Sequence, residues 1–264
     1  MDLGIKGRLA LVTGSTLGIG RAIAETLVSE GVRVIVNGRR KKTVEETVAA
    51  LSRRGEAHGI AADLMTAQGA RAVVEGAEKI GPVDILVNNV GFFEVKPFAD
   101  ISDRDWLEMF ELNVMSGVRL TRALFPGMLS RNWGRVVFIA SEQSAKPNPD
   151  MLHYAMSKTA QVAVARGLAE LTKGTRVTVN SVLVAPTWSE GVETFLEKMA
   201  PAAGKTVAEM RTAYFDGPGA SSLLQRWAEP GEIAAQVAFL CSEHAAVING
   251  AAQRVDGGIV RSLF

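Results

Sequence analysis

Tyr154 and Lys158, in the run Tyr154-Ala155-Met156-Ser157-Lys158, pair a phenol with an ammonium four residues apart. In a helix, that spacing puts both groups on one face within mutual reach. A nearby cation favours phenolate and draws a tyrosine pKa down from ~10 towards neutrality, as general acid–base work requires. Ser141 follows Val136-Val137-Phe138-Ile139-Ala140, which reads as a strand. Its hydroxyl therefore falls at a strand's carboxyl end, where α/β sheets hold their ligands. Near the start of the chain, Thr13-Gly14-Ser15-Thr16-Leu17-Gly18-Ile19-Gly20 spaces its glycines as G-x-x-x-G-x-G. Glycines at such a turn admit a tight bend and close backbone approach to a pyrophosphate. A helix starting near Gly18 would add its free N–H groups and positive dipole end. The plainer alternative is a Gly-rich turn that binds nothing.

The group that discriminates between nicotinamide cofactors sits about 20 residues on, at the end of the second strand. There the chain reads Val36-Asn37-Gly38-Arg39-Arg40-Lys41-Lys42, with no carboxylate before Glu45. A guanidinium matches a 2′-phosphate in a charge-assisted fork. Arg39 and Arg40 therefore favour NADP(H) over NAD(H), against the plainer reading of a solvated basic turn.

These residues need a scaffold, and the apolar pattern supplies one. Leu9–Val12, Val32–Val36, Val83–Val87, Val136–Ala140 and Arg176–Val182 are short, mostly β-branched runs. Such runs suit strands buried on both faces of a parallel sheet. Helical periods lie between them at Gly18–Glu30, Lys41–Gly55, Ala67–Ile80, Asp103–Ser130 (one or two helices), Met151–Thr172 and Gly231–Ser242. The alternation predicts the α/β class: a single doubly wound, Rossmann-type parallel sheet with helices on both faces. The prediction is one domain over residues 1–264. About 186–230, strandless but with helix-like pieces at Gly191–Met199 and Thr206–Tyr214, is expected to form a substrate loop or lid.

The order of motifs resembles the short-chain dehydrogenase/reductase family nearly end to end. The resemblance runs through Thr13–Gly20, Asp63, Asn88-Asn89-Val90-Gly91, Asn113, Ser141, Tyr154/Lys158 and Ile248-Asn249-Gly250, on to Val255-Asp256-Gly257-Gly258. It implies that Tyr154 exchanges a proton with the substrate oxygen, that Ser141 orients that oxygen, and that Lys158 holds the ribose and lowers the Tyr154 pKa. Asn113 would support a proton relay. Cofactor contacts would come from Gly14, Ser15, Thr16, Leu17, Gly18, Ile19, Gly20, Asp63, Leu64, Asn89, Gly91 and Thr187, besides Arg39, Arg40, Tyr154 and Lys158. Two departures stand out: Val90 replaces an Ala, and Val184-Ala185 replaces the Pro-Gly of a turn that lines the nicotinamide. The small residues Ala155, Ala160, Ala163, Ala165, Gly167 and Ala169 mark a helix that in this family packs on its symmetry mate. A homodimer or homotetramer is therefore expected.

The remaining expectations follow from composition and isolated residues. The 264 residues carry a formal net charge of +1, which gives no strong pull towards nucleic acid or anionic membrane. No segment approaches the ~20 apolar residues of a membrane span, and the start lacks a signal peptide's apolar core. The lone Cys241 excludes an internal disulfide framework, and the three histidines lack metal-ligand spacing, so no metal is expected. A cytoplasmic location is compatible with this. His153 beside Tyr154 reads either as a pocket residue or as a surface helix histidine. Phe93, Met151, Trp188 and Phe195 fall in the substrate-facing loops, and suggest a bulky apolar carbonyl or alcohol; the alternative is that such aromatics close the lid's own small core. A non-catalytic cofactor-sensing protein is the competing function, with the Val184-Ala185 turn as its support.

Overall fold

Seven strands form one sheet in the computed structural model, which describes residues 1–263. They are β1 (Leu9–Val12), β2 (Arg33–Gly38), β3 (Ala57–Ala61), β4 (Ile85–Asn88), β5 (Gly134–Ile139), β6 (Val177–Val184) and β7 (Ala252–Val255). Their spatial order is β3-β2-β1-β4-β5-β6-β7, and every neighbouring pair is parallel. Strand order reverses at β1, flanked by β2 on one side and β4 on the other. That reversal opens a crevice at the carboxyl edge of the sheet.

The central strands are buried throughout, and this is why their sequences are predominantly apolar. Two apolar clusters cover the faces. One gathers Val12, Val36, Val87 and Val184 under helices α1 (Gly18–Ser29) and α9 (Pro230–Cys241), around Ile23, Leu27, Ile233 and Val237. The other gathers Leu11, Leu86, Val136 and Phe138 under α3 (Ala67–Glu78), α5 (Ser116–Ser130) and α6 (Leu152–Glu170). Cys241 lies in the first cluster, where burial pushes its thiol up to about 12, so it is a core residue. The edge strands β3 and β7 are half-exposed, and neither showed a buried run in the sequence.

The region 103–130 resolves into α4 (Asp103–Phe110), a π-helical turn (Glu111–Met115) and α5. Ser102 and Asp105 close a capping box at the start of α4. After β6 the chain leaves the sheet for α7 (Glu190–Ala203) and α8 (Val207–Ala213), capped by the Ser189 and Thr206 side chains. An isolated parallel bridge between Thr187 and Ala228 ties the two ends of this excursion together. Helix α2 (Lys41–Leu51) completes the layer over β2 and β3. Among the described residues, no helix is long and apolar enough to cross a membrane.

Candidate active site

The loop between β1 and α1 is held rigid by side chains that the sequence had assigned to cofactor contact. Ser15 is buried; its Oγ donates to the Val12 carbonyl at 2.7 Å and accepts from Asn37 N–H at 3.1 Å. Asn89 Nδ2 donates to the carbonyls of Thr13 (2.9 Å) and Gly14 (3.2 Å), clamping the end of β4 to the loop. Both side chains therefore shape the loop, and what they leave for a ligand is backbone. Gly14 and Gly18 have φ of +60° and +55°. At Gly20 a Cβ would lie 2.4 Å from both the Gly14 carbonyl oxygen and Asn89 Nδ2, so glycine is required for the helix to start here.

Helix α1 has no side-chain cap at its first turn, because its N-cap residue is Leu17, an exposed apolar group. The Gly18 N–H instead donates to Glu190 Oε2 at 2.9 Å, across from the start of α7. A carboxylate at this position is a stand-in anion: it occupies the N–H and dipole site that a pyrophosphate would use. The cradle therefore fits a dinucleotide. Thr16 lies against Gly38, where a Cβ would come within 2.7 Å of Thr16 Cγ2, so the loop meets the end of β2 directly before Arg39. Arg39 and Arg40 are exposed there. Among the described residues they form no ion pair, whereas Lys41 and Lys42 pair with Glu45 and Glu46. Asp63 is exposed beyond β3, Leu64 is buried, and Ile19 is partly buried against the core.

Ser141 follows β5 and is buried at 3% exposure. Its Oγ accepts from Gln143 N–H at 3.2 Å and lies 2.5 Å from Glu142 Oε2, and the hydroxyl faces the Tyr154 phenol, where it favours the ionised form. Tyr154 stands on the first turn of α6. Lys158, one turn on, has its Nζ 5.8 Å from the Tyr154 ring centroid and donates to the Ile139 carbonyl at 2.8 Å. The predicted Ser–Tyr–Lys proximity is thus present, but one expectation needs correcting. Burial, and then the Glu142 carboxyl, hold the phenol of Tyr154 above its ordinary range rather than below it. Burial also lowers Lys158 to about 8, which weakens the charge that was to draw the phenol down.

Asn113 is fully buried in the π-helical turn. Its side chain exchanges hydrogen bonds with Phe92 N–H (2.9 Å) and the Phe92 carbonyl (3.0 Å), and donates to Ser157 Oγ at 2.9 Å. Its own carbonyl accepts from Gln161 Nε2 at 2.6 Å. Asn113 thus joins the loop after β4 to α6, and Gly91 lies between them: a Cβ there would come 3.1 Å from Asn113 Oδ1 and 3.4 Å from Lys158 Nζ. On the far side, Thr187 is buried and its Oγ1 donates to the Ala185 carbonyl at 2.8 Å. Neither Val184 nor Ala185 adopts a positive φ, so the replacement of Pro-Gly needs no strained backbone.

The four candidate substrate residues separate. Phe93 packs on the Tyr154 ring (centroids 6.2 Å), and Phe195 of α7 packs on Phe93 (5.1 Å). Trp188 instead joins Tyr214, Phe215 and Trp227 in a core of the 186–230 segment itself, with the Arg211 guanidinium over its ring at 4.1 Å. Met151, partly buried, ends the short turn Pro149–Met151 before α6. His153 is neither a surface residue nor placed with Ser141 and Tyr154. It is fully buried against Trp106, with Nε2 3.3 Å from Glu94 Oε2. Two functional candidates escaped the sequence reading. Glu142 could have been noticed as an acid directly after Ser141; Glu190 carried no signal, because its partner lies 172 residues away.

A parallel sheet reversing at β1, a glycine loop feeding α1, and Ser141, Tyr154 and Lys158 converging beside it define a Rossmann-type, dinucleotide-dependent class. The chain belongs to the short chain dehydrogenase family, whose model matches residues 8–200, and is accordingly an NAD(P)-dependent oxidoreductase. It is 52% identical over 263 residues to the uncharacterized oxidoreductase YvrD of Bacillus subtilis, covering both chains in full. It is 33% identical to 3-oxoacyl-acyl-carrier-protein reductase FabG of Aquifex aeolicus, over 98% of this chain and 100% of that one. Among solved structures, L-sorbose reductase of Gluconobacter frateurii complexed with NADPH and L-sorbose superposes with a TM-score of 0.94. It shares 31% identity, with both chains covered in full.

Proposed function

We propose that this protein is an NADP(H)-preferring oxidoreductase that interconverts a carbonyl and an alcohol. The observation that carries the reading is the meeting of the Ser141 hydroxyl and the Tyr154 phenol within reach of Lys158, beside a phosphate-binding loop. A bound nicotinamide supplies or takes the hydride. The chain supplies position and proton flow. Ser141 hydrogen-bonds the substrate oxygen, and Tyr154 gives that oxygen its proton on reduction or removes it on oxidation. An ordinary alkoxide is more basic than a phenolate, so even a raised phenol is an effective acid towards it. Lys158 would hold the hydroxyls of the nicotinamide ribose, and Asn113 joins the loop after β4 to α6 beside it. Arg39 and Arg40, unpaired at the end of β2, support the phosphorylated cofactor, as does the NADPH in the Gluconobacter structure.

Phe93 against Tyr154, with Phe195 of α7 packed on Phe93, supports an apolar substrate body and is consistent with the 186–230 segment serving as a substrate lid within a single domain. We place the enzyme in the cytoplasm as a homodimer or homotetramer, its exposed Ala163 and Gly167 on α6 permitting close helix pairing. The test is NADPH oxidation measured across a panel of ketones, with NADH as the alternative cofactor and Tyr154→Phe as the control. The reading fails if wild type and Tyr154→Phe are equally inactive while both bind cofactor. A marked preference for small charged ketones overturns the apolar assignment alone.

A further inference from the structure

Glu142 is 5% exposed, and its carboxyl bridges two neighbours: Oε2 lies 2.5 Å from Ser141 Oγ, and Oε1 accepts from Gln143 Nε2 at 2.9 Å. We propose that Glu142 is a positioning residue: its neutral carboxyl donates to Ser141 Oγ and so turns the Ser141 proton outward, onto the substrate oxygen. The inference rests on the reading of Ser141 as the group that binds that oxygen.

The argument is a count of hydrogen-bond capacity. A serine hydroxyl donates once and accepts at most twice. Ser141 Oγ has two hydrogen-bonded protein neighbours: the Gln143 N–H at 3.2 Å, which can only donate to it, and the Glu142 carboxyl. With Glu142 ionised, the serine proton is committed to the carboxylate. Ser141 then has no proton to offer a substrate oxygen. With Glu142 protonated, Ser141 accepts from the carboxyl O–H and from Gln143 N–H, and its own proton is free to point at the substrate oxygen beside Tyr154. Oε1 remains a plain carbonyl acceptor for Gln143, as the geometry shows.

The surroundings favour the neutral form. Among the described residues Glu142 forms no ion pair: Lys158 directs its Nζ to the Ile139 carbonyl, and Lys146 directs its own to the Pro218 carbonyl. The titratable groups that face the carboxyl are phenols: Tyr154 on α6, and Tyr214 at the turn after α8. A carboxylate buried without a cation bears its full desolvation penalty and shifts its pKa upward instead. A charged Glu142 would also oppose phenolate formation on Tyr154, and the neutral form removes that opposition. During reduction Tyr154 gives its proton to the substrate oxygen and Glu142 keeps its own; only hydrogen-bond lengths around Ser141 change.

Glu142→Gln separates the two states, because an amide N–H can replace the carboxyl O–H as donor to Ser141 but cannot ionise. The expected result is kcat close to wild type and an unchanged KM for NADPH. The variant should also lack the fall in kcat that wild type shows on the basic side as Glu142 loses its proton. Glu142→Ala leaves the Ser141 hydroxyl present but without its orienting donor, and should lower kcat severalfold, short of the about 10²-fold lost when a donor to a reacting oxygen is itself removed. Independently of turnover, infrared difference spectra of wild type against Glu142→Gln should show a protonated-carboxyl C=O band near neutral pH that converts to carboxylate bands as pH rises. A Gln variant as impaired as Ala, an Ala variant as active as wild type, or carboxylate bands already at neutral pH would each overturn the inference. A wild type that turns over no carbonyl or alcohol overturns the proposed function instead, and the infrared bands still decide the direction of the bond to Ser141.

Discussion

Lys158 couples catalysis to stability in a way that can be measured on the protein alone. It is 4% exposed, its Nζ donates to the Ile139 carbonyl, and burial lowers it from 10.5 to about 8. A lysine with a folded pKa below its unfolded one binds fewer protons in the native state than in the unfolded chain. Stability therefore rises with pH from about 8 to about 10.5, and the gain is lost as pH falls through 8. At about 1.4 kcal/mol per pH unit, the whole window is worth about 3 kcal/mol, of which about 2 kcal/mol falls between about pH 7 and about pH 9.5. Lys158→Met removes this titration while keeping the side chain's length and most of its packing. Its cost is the Ile139 carbonyl left without a donor, about 1–3 kcal/mol at any pH. Urea unfolding of wild type and variant at the two pH values reads the difference. Wild type should gain about 2 kcal/mol relative to Lys158→Met on going to the higher pH. A gap that moves by less than about 0.5 kcal/mol would falsify the buried, depressed lysine. Activity should be lost in the variant at both.

Other perturbations address the cofactor site. Replacing Arg39 and Arg40 together with serine should weaken NADPH by about 10- to 100-fold, the worth of one or two charge-assisted hydrogen bonds, and leave NADH within a few-fold. Equal losses for both cofactors in a fluorescence titration would count against these arginines as the 2′-phosphate contact. Glu190→Ala should tighten NADPH by about fivefold, since the carboxylate on Gly18 N–H competes with phosphate, while lowering Tm slightly because α1 loses that cap. Weaker binding in that variant would refute the competition. Gly20→Ala should cost about 1–3 kcal/mol in chemical denaturation and disable cofactor binding, its Cβ being forced against the Gly14 carbonyl. Unchanged stability would show that the loop can yield.

Much of this was written in local sequence. The central strands are legible because burial on both faces favours short apolar runs, and Leu9–Val12 reads directly as β1. Edge strands Ala57–Ala61 and Ala252–Val255 are not, because one exposed side relaxes that demand and leaves no apolar run to detect. The spacing of Tyr154 and Lys158 was equally visible, since helical geometry turns a separation of four into shared facing. What sequence alone determined was therefore the fold class, the phosphate loop and the types of reactive group.

Tertiary structure decided which state those groups occupy. Only packing reveals that Ser15 and Asn89 are engaged in holding the loop, that Trp188 belongs to a separate aromatic core, and that burial outweighs the charge of Lys158 at Tyr154. It also brings Glu190 onto Gly18 from the far side of the crevice. Hydrogen-bond partners and desolvation depend on contacts between residues far apart in the chain, and no local spacing encodes them.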